Sequence, residues 1–385
     1  MDYTTQQHTE NVTSVNNTYI TLNTTAAEIR ELTLEDVLYM HIEPLFIVCR
    51  YVHLLWYFVG FFGNITSAVI WNTPHMYNVC SSAHYLVTIS ICDVLCQLFH
   101  ITYYLKHFWR IESLGEENVC DFWSILYMIP LYISELLLLG LTIEKLISIR
   151  NPFRSGWFSR HQRAPKEIVW IVTCVTVLSL LQAYIWQVDS RDYCDDIREN
   201  RMEFRIWNWL CDVFIYIITP VTVVVIVFKI LREAKHSIIG VSHRHQGRVN
   251  VTRTLRQSTI VIIRLSLFRV CVTIPATCVH FLLHVKYFSP SSLPHVFSSS
   301  DVNDSETWQR FIKLYTAKYT LELLSSAKYA LGVFVFALSC RHFKRDFKAR
   351  VQNLARTTYI SLCKIMTYIR EKINSYREDE FNAPN

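Results

Sequence analysis

Four ionisable residues, Asp93, Glu135, Arg269 and Lys328, interrupt long apolar runs of this chain. A charge at the centre of a membrane-spanning helix costs about 2.5–3.5 kcal/mol on insertion scales, so each must find a partner. An acid and a base can satisfy one another there, whereas either alone is an uncompensated charge. This is ion-pair chemistry, not turnover. The 15 histidines are scattered. His243 and His245 fall in a basic loop, and no His, Asp or Glu cluster suggests a metal centre. No nucleophile stands beside a base, and no glycine-rich phosphate loop is present, so the reading is no enzyme, no cofactor and no metal.

The runs that carry these residues are the elements that must position them. Seven apolar stretches fall at 44–71, 81–106, 119–147, 167–187, 206–231, 258–285 and 311–338. Each is near the ~20 residues that cross a bilayer as a helix. Backbone groups find no water in hydrocarbon, which dictates helices. The expected fold is an all-α membrane protein: a seven-transmembrane helix bundle over 44–338, with an amphipathic eighth helix and extension over 339–375. An outer tail precedes it (1–43), and a disordered tail follows (376–385). Transporters usually show internal repeats and broken helices, and the sequence suggests neither.

Charge sets the orientation. Residues 1–43 hold seven acids against one base, Arg30, whereas 229–257 hold seven Lys or Arg against Glu233 alone. Positive loops stay in the cytoplasm, so the N-terminus is expected outside, at the plasma membrane. The net charge of +6 is then a cytoplasmic face, not a nucleic-acid signal. Asn11, Asn16 and Asn23 head Asn-x-Thr glycosylation signals in the outer tail. Cys120 and Cys194, unlike the cysteines inside spans, face an oxidising side and are expected to form a disulfide. No cleavable signal peptide is visible, leaving the first span as targeting signal.

These landmarks resemble the rhodopsin-like (class A) G protein-coupled receptors over about 44–350. Gly63-Asn64, Asp93, Trp170, Pro220 and Pro275 stand at the family's expected places. Glu144-Lys145-Leu146 replaces its acidic-Arg-aromatic triplet, 24 residues after Cys120. Phe343–Phe347 looks like the eighth helix. The Asn-Pro-x-x-Tyr motif reads Gly332-Val-Phe-Val-Phe336 instead. The resemblance implies two buried ion pairs. Asp93 and Ser134 match ligands of the family's sodium cavity, so Lys328 is expected to replace that ion and pair with Asp93, Gly332 making room. Glu135 and Arg269 occupy facing positions of an apolar switch beside Pro220 and are expected to pair.

The resemblance also implies a ligand class. Tyr127 stands where amine receptors carry Asp, and Lys328 is out of register with a retinal lysine. Outer loops rich in acid favour a cationic peptide. Glu322 would accept its charge, with Tyr103, Tyr127 and His280 lining the same cavity. The pattern is loosely similar to invertebrate neuropeptide receptors of the FMRFamide type. Expected partners are an extracellular peptide ligand, a heterotrimeric G protein met at Glu144 and Lys145, and membrane lipid under 351–373; no nucleic acid is expected. With no acid near 253–257 to hold Lys145, weak locking is expected. The alternative is a scavenger or chemosensory seven-helix receptor that binds without coupling.

Overall fold

The structure, a computed structural model, describes residues 34–80, 82–109, 111, 117–150, 157–183, 187–188, 194–195, 202–241, 249–286 and 299–381. Nearly everything described is helical. The long helices are α1 (Leu34–Trp71), α3 (Ala83–Trp109), α4 (Glu117–Arg150), α5 (Trp157–Ala183), α7 (Thr219–Val241), α8 (Val249–Lys286), α10 (Glu306–Ala330) and α12 (Arg341–Phe381). Shorter ones are α2 (Pro74–Val79), α6 (Met202–Val213), α9 (Ser299–Asp304) and α11 (Gly332–Ser339). Strands β1 (Gln187–Val188) and β2 (Cys194–Asp195) form a small antiparallel hairpin against α4. Among the described residues five helices are long and apolar enough to cross a membrane, and the bent pair α10–α11 makes a sixth. Helix α5 stands where the fourth span is predicted. Outward side chains such as Phe58, Trp170, Phe228 and Leu338 are left bare, which suits lipid rather than water.

Helix α1 starts ten residues before the apolar run predicted from 44, so residues 34–43 are not simply tail. Val37, Leu38, Ile42 and Phe46 are buried with Trp308 and Phe311 of α10 and Val302 of α9. The acids around them hide an amphipathic face. The helix bends at Ile42, whose backbone leaves the helical region just before Pro44. Proline cannot donate to the preceding turn, and its ring crowds that turn's carbonyl.

Two glycines and an asparagine set how closely α1 packs. A Cβ on Gly60 would overlap the Gln97 amide of α3, and one on Gly63 would meet Val333 Cγ1 of α11 at 2.8 Å. Asn64 Nδ2 donates to the Tyr329 carbonyl at 2.5 Å, tying α1 to the end of α10.

A π segment in the fifth span, a proline in the sixth and a break in the seventh shape the interior. The fifth span opens into a π-helical segment at Phe214–Ile218, where the Thr219 N–H bonds the Phe214 carbonyl just before Pro220. Such bulges re-aim the residues around them. Helix α8 carries Pro275 internally. The seventh span breaks at Leu331, and α10 and α11 meet at 53°. At the far end Phe343 anchors α12, its ring 5.3 Å from Trp71 and 5.5 Å from Phe336. From Val351 to Arg370 every side chain of α12 is exposed. The helix runs on to Phe381, past the boundary at 375, because Ile369, Ile373 and Tyr376 continue its apolar spacing.

Candidate functional site

A cavity of about 390 Å³ opens between the helices at the end of the bundle where α1 begins. Residues from α1, α3, α4, α6, α8 and α10 line it, the π segment adds Tyr216, and the wall is strongly aromatic. Tyr103 (α3), Tyr127 (α4), His280 (α8) and Glu322 (α10), the four residues singled out from sequence, all face this one space. Trp56 Nε1 donates to the Leu323 carbonyl at 3.1 Å, and the Tyr57 hydroxyl is bonded to His100 Nδ1 at 2.7 Å, which fixes much of the wall.

Its charges are unevenly compensated. Glu322 meets Lys318 of its own helix at 3.8 Å, a loose i,i+4 contact, and Lys318 Nζ lies 5.2 Å from the Tyr315 ring centroid. Asp212 of α6 adds a second carboxylate to the wall. It forms no ion pair among the described residues. Sequence reasoning missed Asp212, although an acid at the start of an apolar run was signal enough. It also missed His53, His100 and Lys318, whose helices give no sequence hint that those faces point inward.

Lys328 forms part of the same lining and leads to the charged cluster below it. All four intramembrane ionisable residues are buried and near one another, but the expected pairs are exchanged. Arg269 of α8 pairs with Asp93 of α3, and Lys328 Nζ meets Glu135 Oε1 of α4 at 2.7 Å. Ser134 knits the first pair: its hydroxyl donates to Asp93 Oδ1 and accepts from Arg269 Nη1, both at 2.8 Å. Lys328 closes the last turn of α10 before the break. A cation is favoured at a helix C-terminus, and from there the Lys328 ammonium reaches Glu135 of α4. Gly332 does not house its stem. A Cβ there would instead lie 3.8 Å from Asn64 Oδ1.

At the opposite end, Lys145 is 1% exposed and donates to the Ser258 hydroxyl of α8. Sequence reasoning found no acid to restrain Lys145 and so expected weak locking. The structure supplies a neutral partner five residues nearer the membrane than Arg253. Glu144 lies beside Lys145 in the same turn of α4. Arg264 Nη1 donates to the Leu338 carbonyl at 2.8 Å, joining α8 to the end of α11.

Other expectations fall elsewhere. Asn11, Asn16 and Asn23 lie outside the described residues. So do the side chains of Cys120 and Cys194, although the backbone of Cys194 pairs with Val188 in the hairpin.

A model of the family described as 7 transmembrane receptor (rhodopsin family) matches residues 42–317. No curated protein matches the chain. The family match spans well over half of the sequence and takes in the cavity walls up to α8, three members of the charge cluster and the Lys145 clasp; the α10 wall, Glu322 included, lies beyond it. Lys328 and the broken end of the seventh span lie beyond it. On this match the chain belongs to the rhodopsin family of seven-transmembrane receptors.

Proposed function

We propose that this receptor sits in the plasma membrane with its N-terminus outside, binds a cationic peptide in the α1-end cavity and activates heterotrimeric G proteins. The observation that carries the ligand class is the cavity wall. It presents two carboxylates, Asp212 and Glu322, among tyrosines, tryptophan and histidines, with Lys318 loosely beside Glu322 and Lys328 on the floor held by Glu135. Aromatic faces and carboxylates together favour an ammonium or guanidinium group over an anion. Acids near the mouth, including Asp304 and Glu306, would raise the local concentration of such a peptide.

The test is a screen of basic peptides against acidic peptides of equal length, reading second messenger and surface binding. Basic peptides are expected to act. Glu322→Gln is expected to weaken an active one roughly ten- to hundredfold, the loss of one charge-assisted hydrogen bond of about 1.5–3 kcal/mol. Acidic peptides acting as well or better would overturn the ligand class.

Two observations favour a second reading, a receptor that binds without coupling. Lys145 lacks the planar donor fork of arginine and is buried against Ser258. The break at Leu331 also stands without the family's Asn-Pro pair. Internalisation of an active peptide with no G-protein activation would select this reading.

A further inference from the structure

Lys328 belongs to two structures at once. Its ammonium bonds Glu135 in the buried cluster, and the same side chain lines the cavity. An ammonium has three donors, so Lys328 retains capacity for an acceptor arriving from the cavity. Arg269 lies within electrostatic reach of the Glu135 carboxylate although bonded to Asp93 and Ser134. Its Nε is buried and has no hydrogen-bond partner among the described residues. A buried donor left unmade is costly, so a second acid that approached Arg269 would be welcomed there.

We propose that Lys328 is the residue through which the cavity reads its ligand, and that it works by partner exchange. A carboxylate or amide carbonyl delivered to the floor draws Lys328 Nζ away from Glu135. Glu135 cannot remain an unpaired buried anion, so it takes the spare Nε of Arg269. The guanidinium then bridges the two acids, keeping Asp93 and Ser134 on its Nη atoms while Nε turns toward Glu135 of α4, so the hold on Asp93 is shared and weakened. Before exchange the ionic hold of Arg269 is on α3 alone; afterwards it is shared between α3 and α4, and the α3–α8 fastening is looser. No charge is created or lost, since two acids and two bases serve both arrangements. That the trigger is a ligand rests on the receptor reading above; the exchange itself does not.

The experiment uses the purified full chain in lipid nanodiscs, without peptide or G protein, and follows hydrogen exchange of α3 and α8 by mass spectrometry. Lys328→Met strands Glu135 and is expected to speed exchange around Asp93 and Arg269 roughly threefold or more, as the α3–α8 fastening loosens. Lys328→Met with Glu135→Leu removes the stranded acid and is expected to restore the wild-type pattern. Equal exchange in the single and double variants would overturn the relay. If the single variant does not accumulate, Lys328→Gln keeps a donor to Glu135 without its charge, and a smaller change of the same sign is expected; no change overturns the relay equally. For the trigger, acetate is titrated against chloride at matched ionic strength. Acetate is expected to speed exchange in the wild type and not in Lys328→Met. Indifference to acetate would overturn the trigger while leaving the relay standing, and neither result depends on whether the receptor couples.

Discussion

The charged cluster in mid-bundle and the Lys145 clasp at the far end solve one problem in opposite ways. Both bury a basic side chain between helices, and both tie α4 or its neighbours to α8. In mid-bundle the bases are met by carboxylates, Arg269 by Asp93 and Lys328 by Glu135. At the far end Lys145 is met by a hydroxyl, Ser258. A buried ion pair adds little net stability yet is costly to break at one end, because the survivor is stranded. A hydroxyl clasp strands no carboxylate: removing Ser258 costs the Lys145 ammonium one hydrogen bond and leaves its other neighbours in place. The first arrangement therefore specifies one packing of the helices; the second holds a door that opens at modest cost.

The sharpest test of this difference is to strand a charge. Arg269→Ala is expected to destabilise the receptor by about 3–5 kcal/mol, visible as lost surface expression and a lower melting temperature in detergent. Asp93→Arg combined with Arg269→Asp should recover part of that loss. Exchanging Glu135 and Arg269 instead should recover less, since those residues are not partners in the structure. A reversed ranking of the two double variants would assign the pairs as the sequence alone suggested.

Opening the clasp should be much milder. Ser258→Ala removes one hydrogen-bond partner of Lys145, worth about 1–3 kcal/mol with a charged donor. It is expected to leave surface expression nearly intact and to raise basal G-protein activation severalfold. Lys145→Ala in the same background should abolish that gain. If Ser258→Ala instead destabilises the protein as severely as Arg269→Ala, the contrast between the two regions collapses.

The same contrast shows how much was legible in the sequence. The resemblance implies the inward placement of Tyr103, Tyr127, His280 and Glu322, and the seven spans and the identity of the four buried charges follow from hydropathy and spacing. The pairing does not. Spacing says which face a residue occupies, but Lys328 lies in the last turn of α10 before a 53° break, and which acid its flexible stem reaches is a matter of tertiary packing. Gly332 and Leu331 carry no side-chain signal for that angle. Ser258 is neutral and gives no charge signal of a partner for Lys145, although a hydroxyl serves as one. The start of α1 was hidden because Glu35, Asp36 and Glu43 make its first turns read as a charged tail, while Leu38, Ile42, Phe46 and Cys49 keep helical spacing and are buried.

The smallest stability effect is expected at α12, beyond the bundle. Val351, Leu354, Leu362, Ile365, Met366 and Ile369 are all exposed, and Arg356, Lys364, Arg370 and Lys372 lie among them. An apolar stripe with bases beside it suits an anionic bilayer surface, where each base contributes about 1 kcal/mol. Leu362→Asp with Met366→Asp removes no contact within the bundle, so the melting temperature should stay within the range of a surface change, about 0.5 kcal/mol. The same pair of substitutions should release α12 from the membrane, seen as faster proteolysis of residues 351–381 in nanodiscs containing phosphatidylserine. In nanodiscs of neutral lipid, wild type and variant should be cut alike. Equal cleavage in both lipids would leave the stripe to another partner and confine the membrane anchor to the buried base of the helix at Phe343.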